Sequence, residues 1–363
     1  MNRREFLRSA GIVSLGMAGP EGFRRRVRAA ALDGWRSFTI TTRVDVLKPS
    51  GTTRVWLPAA LIGDTPYQKT LANDVTAPGG TARLVESNAD GLGIVCVEFP
   101  AGVQPGVTLV SRVSTHNHSV ELGRPGTTHA VAPGALAHFR RATKLLPTGG
   151  IVKTTALTIT KGARTDLEKA RAIYEWIVDH TFRDAKTRGC GVGDIRFMLE
   201  SKELGGKCAD LNALYVGLAR AAGLTARDVY GIRVAKSDLG YRSLGAASGT
   251  VTKSQHCRAE VFLTGYGWVP VDPADVRKVA LEEPPGNRRL DDGMVTAARA
   301  RLFGSWEMNW IAFNFAHDVA LPGSRRPPLG FLMYPQAETA EGRLDSLDPD
   351  SFKYEITSHE TAT

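Results

Sequence analysis

The chain has 363 residues, of which 42% are hydrophobic and 23% are charged, so it is long enough to bury one or two cores. Its formal net charge is +9, but residues 1–31 alone contain seven Arg and two Glu. Without them the chain has 39 basic and 35 acidic residues, a net charge of +4 that is ordinary for a globular protein. No pattern of basic and aromatic residues accompanies this charge, so we expect no nucleic-acid partner.

The first 31 residues resemble a twin-arginine export signal. Arg3 and Arg4 precede a modest apolar run over 10–18, which is too short to span a bilayer. A basic cluster and then three alanines, a candidate cleavage region, follow over 24–31. We therefore expect a periplasmic protein that uses the twin-arginine export machinery; the alternative is an N-terminal amphipathic helix retained on a cytoplasmic protein. No later stretch is apolar enough to predict a membrane span.

Residues 32–128 are predicted to form a β-sandwich of immunoglobulin-like size. Stretches rich in β-branched and aromatic residues are separated there by Gly, Pro, Asn and Asp, a pattern typical of strands and turns. These stretches cover 38–47, 53–57, 94–99 and 107–113. We expect this domain to frame a substrate groove or to bind a partner. A linker over 129–150 follows, with one short helix near 135–145.

Two amphipathic helices are predicted within residues 151–300, the expected catalytic core. Thr165 and Glu168 form a capping box that opens the first helix. The second carries its apolar residues on one face, namely Leu211, Leu214, Tyr215 and Leu218. The glycine-rich loop over 187–193 lacks the Walker spacing and the Lys-Ser/Thr pair that hold phosphates, which argues against a nucleotide site. We expect this loop to line a groove or to bend toward Cys208.

Cys208 lies at the start of the second helix, after a Gly-Gly turn and Lys207. Unpaired N–H groups and the positive end of the helix dipole favour thiolate over thiol there, and Lys207 adds a cation. Asp210 in the same turn opposes the thiolate. The helix start and Lys207 therefore predict that the pKa of the Cys208 thiol is lowered. Taken alone, Cys208 has a structural alternative, a buried inert cysteine.

A predicted hairpin supplies a base and a carboxylate for this cysteine. Residues 256–263 read as one strand and 268–272 as its partner, joined by a three-residue loop. If pairing continues as far as His256, Asp272 is its diagonal neighbour on the same face, about 7–8 Å away at the backbone. Asp272 then orients the imidazole, whose other ring nitrogen takes the proton of Cys208.

These motifs resemble the transglutaminase-like core of bacterial proteins. The resemblance rests on residues 206–223, 256–260 and 265–273, and it covers roughly 150–280. It implies an α+β fold with a papain-like transglutaminase core, to which the predicted N-terminal β-sandwich is added.

The resemblance also implies roles for the three residues. Cys208 is the nucleophile, His256 the general base and acid, and Asp272 the orienting carboxylate. Arg258 stands where the His-x-Trp-x-Glu strand of the family has an aromatic residue, a departure that concerns the substrate groove rather than the triad. The family includes amide hydrolases, crosslinking acyltransferases and members with no known activity.

The expected function is hydrolysis or acyl transfer on peptide or glutamine-like amides, through a thioester at Cys208. The backbone N–H of Cys208 is expected to stabilise the oxyanion together with a second donor that the sequence does not identify. The alternative is a non-catalytic peptide-binding or scaffold module, in which the triad residues remain but the groove is blocked.

The remaining cysteines are Cys96, Cys190 and Cys257, and the chain has no Cys-x-x-Cys pair, so neither a metal nor a cofactor is expected. One disulfide among these three thiols stays open for an oxidising periplasm. Cys257 follows His256 on its strand and so points to the opposite face, which disfavours pairing with Cys208. A scattered zinc set of Cys190, Cys208, His256 and Cys257 is a further alternative that spacing leaves open.

Residues 301–363 form a C-terminal aromatic-rich extension in this scheme. Its aromatic side chains are expected to pack over the core rather than to stack on substrate. They are Trp306, Trp310, Phe313 and Phe315.

Overall fold

Strands dominate both ends of the chain, and most of the helices lie in its middle. The computed structural model describes residues 34–126, 131–246 and 249–361. The predicted export signal lies outside these residues. The helices described are α1 (Pro133–His138), α2 (Gly150–Ile159), α3 (Asp166–His180), α4 (Ile195–Ser201), α5 (Cys208–Ala221), α6 (Pro273–Glu282) and α7 (Gly293–Arg301).

The strands are distributed over the whole described chain. They are β1 (Trp35–Val46), β2 (Thr53–Pro58), β3 (Gln68–Thr76), β4 (Thr81–Ser87), β5 (Leu92–Phe99), β6 (Gly106–His116), β7 (His118–Ser119), β8 (Phe182–Arg183), β9 (Gly205–Gly206), β10 (Thr225–Arg233), β11 (Gly249–Thr250), β12 (Gln255–Leu263), β13 (Gly267–Val271), β14 (Ser305–Trp306), β15 (Trp310–Asn314), β16 (Gln336–Thr339), β17 (Gly342–Arg343) and β18 (Phe352–Thr361).

Two five-stranded antiparallel sheets draw strands from both ends of the chain. Their strand orders are β11-β18-β1-β6-β3 and β17-β16-β2-β5-β4. Every second residue in the middle of β1 is buried, because alternate side chains of a strand point to opposite faces. Buried side chains of both sheets, among them Val44, Leu57 and Phe99, form one apolar cluster.

The C-terminal residues therefore do more than cover the core. β16 and β17 belong to one of these sheets, and β18 pairs with β1 along ten residues, from Ser37↔Thr361 to Val46↔Phe352. The sequence predicts a β-sandwich made of residues 32–128 alone, whereas both five-stranded sheets also contain strands from the C-terminal part of the chain. The boundaries of the other domains stay predictions.

The middle of the chain packs helices against a four-stranded antiparallel sheet, β13-β12-β10-β15. Every residue of α5 is buried, in keeping with its nearly continuous apolar sequence. α3 opens with the predicted capping box between Thr165 and Glu168. Within the described residues, none of the helices is both long and apolar enough to span a bilayer.

Candidate active site

Cys208 is the first residue of α5, and its side chain is only 3% exposed. The Asp210 carboxylate connects this helix start to the glycine-rich loop. One of its oxygens accepts from the backbone N–H of Lys207 at 3.0 Å, and the other accepts from those of Val192 and Gly193, both at 2.9 Å. The loop thus bends toward the cysteine, as the sequence predicts.

Two glycines make this close approach feasible. Gly191 has a φ of +98°, and a Cβ built on it lies 1.8 Å from an Asp210 oxygen. A Cβ on Gly206 lies 2.6 Å from the Cβ of Asp210. Larger residues at either position would push the loop or the turn away from the helix start. The loop also brings in Cys190, whose carbonyl accepts from the Ala209 N–H at 2.9 Å.

The Cys208 sulfur is surrounded by hydrogen-bonding groups. Hydrogen bonds from Cys190 and Cys257 outweigh the effect of burial and, with His256, lower the pKa of Cys208 well below its usual value. The bond to Cys208 and burial raise the pKa of Cys190 well above the ordinary range, and burial together with the same contact does so for Cys257. These opposite pKa shifts favour the thiolate at Cys208 over a thiolate at Cys190 or Cys257. The Cys190 thiol also donates to the Gln255 carbonyl at 3.3 Å.

Helix α5 crosses β12 beside Cys257, where the Asn212 amide donates to the Cys257 carbonyl at 2.8 Å. Cys257 and Cys208 are not joined in a disulfide. All four cysteines, Cys96 included, are free thiols.

His256 and Asp272 are in direct contact. The His256 Nε2 and an Asp272 Oδ2 are 2.7 Å apart, which leaves Nδ1 for the cysteine side. The hairpin has the predicted register at its turn, Leu263↔Gly267, but pairing stops at Ala259↔Val271. Asp272 is therefore not a cross-strand neighbour of His256.

Asp272 is instead the N-cap of α6, and its two oxygens have separate roles. Oδ1 accepts from the Asp275 N–H at 3.1 Å and from the Asn212 amide at 3.2 Å, while Oδ2 faces His256. Helix capping thus fixes the orientation of the carboxylate that orients the imidazole. One side chain therefore caps α6 and also contacts the imidazole.

Asp275 is a second carboxylate at His256, which the sequence analysis missed. Its Oδ1 lies 3.4 Å from His256 Nε2 and 2.6 Å from Arg233 Nη2, with all three side chains buried. Burial and Arg233 favour the neutral ring, but Asp275 and Asp272 outweigh them and raise the pKa of His256 to about 9. Recognising Asp272-Pro273 as an N-cap and first helical residue would have placed Asp275 in the same turn.

Arg258 contacts Asp272 and an aromatic ring. Its Nε lies 3.7 Å from Asp272 Oδ2, and its guanidinium stacks 4.7 Å from the Trp310 ring. Trp310 also donates to the His256 carbonyl at 2.8 Å. The expectation that this departure concerns the substrate groove stays a prediction. The aromatic contact comes from the C-terminal strand β15.

The carboxylates and the imidazole form a compact set of possible metal ligands. Ligand atoms of His256, Asp272 and Asp275 lie within 4.8 Å of one another. However, Arg233 and Arg258 lie against the two carboxylates, and their positive charges disfavour a cation there. The cluster suits guanidinium partners better than a metal ion.

A cavity of about 550 Å³, here called the thiol cavity, is lined by Cys208 and His256. Cys190 and Gln255 also line it. The Gln255 side-chain nitrogen is buried and has no hydrogen-bond partner among the described residues. The cavity thus brings together Cys208, whose pKa is lowered, His256, whose pKa is raised, and Gln255.

Residues 153–273 match the model of the transglutaminase-like superfamily. The chain is also 33% identical over 339 residues to an uncharacterized protein of Haemophilus influenzae, an alignment that covers 88% of this chain and 90% of that protein. The chain belongs to the same family as this Haemophilus protein, and its core is a transglutaminase-like domain.

Two solved structures are similar over much of the chain. A candidate cysteine protease from Cytophaga hutchinsonii is 16% identical, covers 90% of this chain and 98% of its own, and has a TM-score of 0.49. The periplasmic domain of TgpA from Pseudomonas aeruginosa is 15% identical, covers 64% of this chain and 90% of its own, and has a TM-score of 0.35.

Proposed function

We propose that the protein is a thiol-dependent amide hydrolase or acyltransferase with Cys208 as nucleophile, His256 as acid and base, and Asp272 as orienting carboxylate. The observation that supports this most is geometric: Cys208 at the start of α5 and His256 line one cavity, and the His256 Nε2 lies 2.7 Å from Asp272 Oδ2. The lowered pKa of Cys208 and the raised pKa of His256, about 9, agree with this arrangement. Between these two pKa values the resting pair is thiolate and imidazolium, the reactive form of a cysteine nucleophile.

The chemistry proceeds in two balanced steps. The Cys208 thiolate attacks the amide carbonyl, and His256 gives its proton to the nitrogen as the C–N bond breaks, releasing an amine and leaving a thioester. Neutral His256 then takes a proton from water or from an acceptor amine as that group attacks the thioester. The new acyl product departs, and the thiolate and imidazolium are restored.

Two donors are available for the oxyanion. The Cys208 N–H is the first of α5 and has no partner within the helix. The second donor that we propose is the Gln255 amide: the residue lines the same cavity, and its buried nitrogen has no hydrogen-bond partner among the described residues, so it must turn toward the oxyanion when substrate binds. Replacing Gln255 with Leu is expected to lower kcat about 100-fold, the usual cost of losing one such donor.

The reactivity of Cys208 toward iodoacetamide tests the proposal and its competitor, a non-catalytic binding module. We expect labelling near neutral pH, with a step below the usual thiol range, that slows in His256→Ala. Cys96 is an internal control, because burial raises its pKa to about 11. Slow labelling of Cys208 that does not depend on His256 would support the binding module.

Turnover provides the second half of the test. With a panel of peptide amides, hydroxylamine should convert the thioester into a hydroxamate, and mass spectrometry should locate the acyl group on Cys208. Cys208→Ala should abolish both signals while the fold persists, with Cys96→Ala as the matched cysteine control. Full turnover in Cys208→Ala would end the thiol mechanism.

We also propose that the protein acts in the periplasm after export by the twin-arginine route. The support is Arg3 and Arg4 ahead of the short apolar run. Cell fractionation should find the native protein in the periplasm and the variant with Arg3→Lys and Arg4→Lys in the cytoplasm. Export of the double variant would reject this route.

A further inference from the structure

The thiol cavity has an unusually one-sided charge. Of the described residues that line it, none is Asp or Glu. Six are cationic: Arg183, Arg188, Lys207, Arg233, Lys253 and Lys278.

Carboxylates outside the lining neutralise only part of this charge. Glu282 is shared, because it forms an ion pair with Arg183 and also lies 3.7 Å from the Lys278 ammonium. Arg233 is paired with Asp275 at 2.6 Å.

The other cations have weaker neutralisation or none. Arg188 pairs with Asp345 at 2.7 Å, but both side chains are largely exposed, so the pair is weak. Lys207 donates to the Thr187 carbonyl at 2.7 Å. Lys253 is exposed and has no ion pair within the described part of the chain. Three carboxylates thus form ion pairs with four of the six cations, and Lys207 and Lys253 have none among the described residues.

Lys278 shows the effect of this imbalance. Its side chain is 18% exposed, and burial and Arg233 lower its pKa to about 8 despite the opposing charges of Asp275 and Glu282. A lysine whose charged form is disfavoured in this way gains stability when an anion enters. The Cys208 thiolate does not balance the excess, because the His256 imidazolium already matches it.

We propose that Lys253 and Lys278, together with Arg183, bind a carboxylate of the acyl donor, so that the substrates are acidic peptides with a carboxylate close to the scissile amide. This inference rests on the proposed function and specifies its substrate class. Carboxylate is favoured over other anions because peptide amides carry it on Glu, Asp or a free C-terminus. A partly open cavity of about 550 Å³ has room for a few residues of peptide.

A pair of matched alkylators tests the charge preference. The Cys208 thiolate displaces iodide from either iodoacetate or iodoacetamide, and its sulfur forms a bond to the CH2 carbon of a two-carbon group. Only the group from iodoacetate carries a carboxylate. The ratio of their rates, iodoacetate over iodoacetamide, should be about tenfold higher in the native protein than in a double variant with Lys253→Gln and Lys278→Gln. His256 is present in both proteins, so its attraction for iodoacetate contributes equally to both rate ratios and cancels when the two ratios are compared.

Lys161→Gln is the matched control, because Lys161 is exposed and does not line the cavity. It should keep the native ratio, and added salt should reduce the native ratio toward that of the double variant. An equal ratio in the native protein and the double variant would overturn the proposal. Slow iodoacetamide labelling of Cys208 itself would count against the proposed function.

Equilibrium binding separates the two proposals further, since it does not need a reactive thiol. On the full chain with Cys208→Ser, calorimetry should show that an acetylated, amidated tri-glutamate peptide binds about tenfold tighter than its tri-glutamine counterpart, with the difference lost in the double lysine variant. Equal affinity for the two peptides, or competition by inorganic phosphate alone, would contradict a carboxylate site.

Discussion

Two cavities of nearly equal volume are lined by different parts of strand β12. The thiol cavity, about 550 Å³, is lined by His256, and a second cavity of about 560 Å³ is lined by Glu260 and Phe262. We call the second the aromatic cavity, because Trp268 and Phe315 also line it. Each cavity has an ion pair between an arginine and a carboxylate beside it, Arg233 with Asp275 at the thiol cavity and Arg227 with Glu260 at the aromatic cavity.

The two ion pairs serve different purposes. Asp275, paired with Arg233 at 2.6 Å, also faces His256 and raises its pKa. Arg227, paired with Glu260 at 2.6 Å, stacks 3.6 Å from the Phe315 ring and contacts no nucleophile that the structure describes. Volume and buried charge therefore do not identify a reactive site. The proposed reactive site rests instead on the combination of a helix start, a thiol and a neighbouring imidazole.

The largest effect is expected from Asp272→Asn at the thiol cavity. Asn still caps α6, but it removes the charge that stabilises the imidazolium and favours the wrong tautomer. In a serine protease the equivalent change costs about 10⁴ in rate, and a preformed thiolate should lose less, roughly 10²-fold to 10³-fold in kcat. Steady-state kinetics on a peptide amide measure this loss, with KM little changed.

Asp292→Asn is the matched control, because Asp292 caps α7 and lies outside the thiol cavity. It should leave kcat unaltered. Full turnover in Asp272→Asn would show that another group orients His256.

Glu260→Gln at the aromatic cavity should have the opposite signature. It leaves the largely buried Arg227 without its anion, which costs about 3 kcal/mol in the free energy of unfolding. Denaturant unfolding measures this cost, and kcat of the folded protein should stay the same. Adding Arg227→Met should recover part of the stability. A loss of kcat without a loss of stability would remove the distinction between the cavities.

The pH dependence of kcat/KM tests whether Cys208 and His256 at the thiol cavity act as a coupled pair. The thiolate–imidazolium pair exists above the lowered pKa of Cys208 and below the raised pKa of His256, so kcat/KM should fall as pH rises through about 9. Asp275→Asn removes one charge that raises the His256 pKa and should move this alkaline limb to lower pH. A profile that is flat through pH 9 would contradict the coupling. Circular dichroism would confirm that the variant is folded.

The smallest effect is expected from Cys190→Ala. It removes the hydrogen bond that contributes most to lowering the pKa of Cys208, so that pKa should rise. Iodoacetamide labelling at pH 6 should then slow several-fold, while labelling at pH 9 stays close to native. If the variant were labelled as fast as the native protein at both pH values, Cys190 would only fill space beside the Cys208 sulfur.

The site could be predicted from the sequence as far as its residues lie in local motifs. Cys208 follows a turn and opens an apolar helix, His256 lies in a strand with a clear β pattern, and Asp272 directly follows the second strand of the same hairpin, so each residue has a local signal. Asp275 was missed because the capping role of Asp272 was not recognised. Arg233 has no local signal, because it reaches the site only through the pairing of β10 with β12.

The fold shows the same limit. β1, β2, β5 and β6 alternate or are continuously apolar, and the sequence predicts them within a few residues. β3 and β4 were missed because they are edge strands rich in polar residues, which are partly exposed in β3 and mostly exposed in β4. The C-terminal strands carry an ordinary strand pattern, but nothing in it says that their partners lie some 300 residues earlier.

The pairing of β18 with β1 also governs when the protein can finish folding. During synthesis β1 emerges early and can pair with β6, but its other edge has no partner until residues 352–361 leave the ribosome. An unpaired strand edge is a template for association with other chains. A nascent chain therefore needs protection of this edge until synthesis is complete. A chain truncated before Phe352 is expected to aggregate rather than accumulate in folded form.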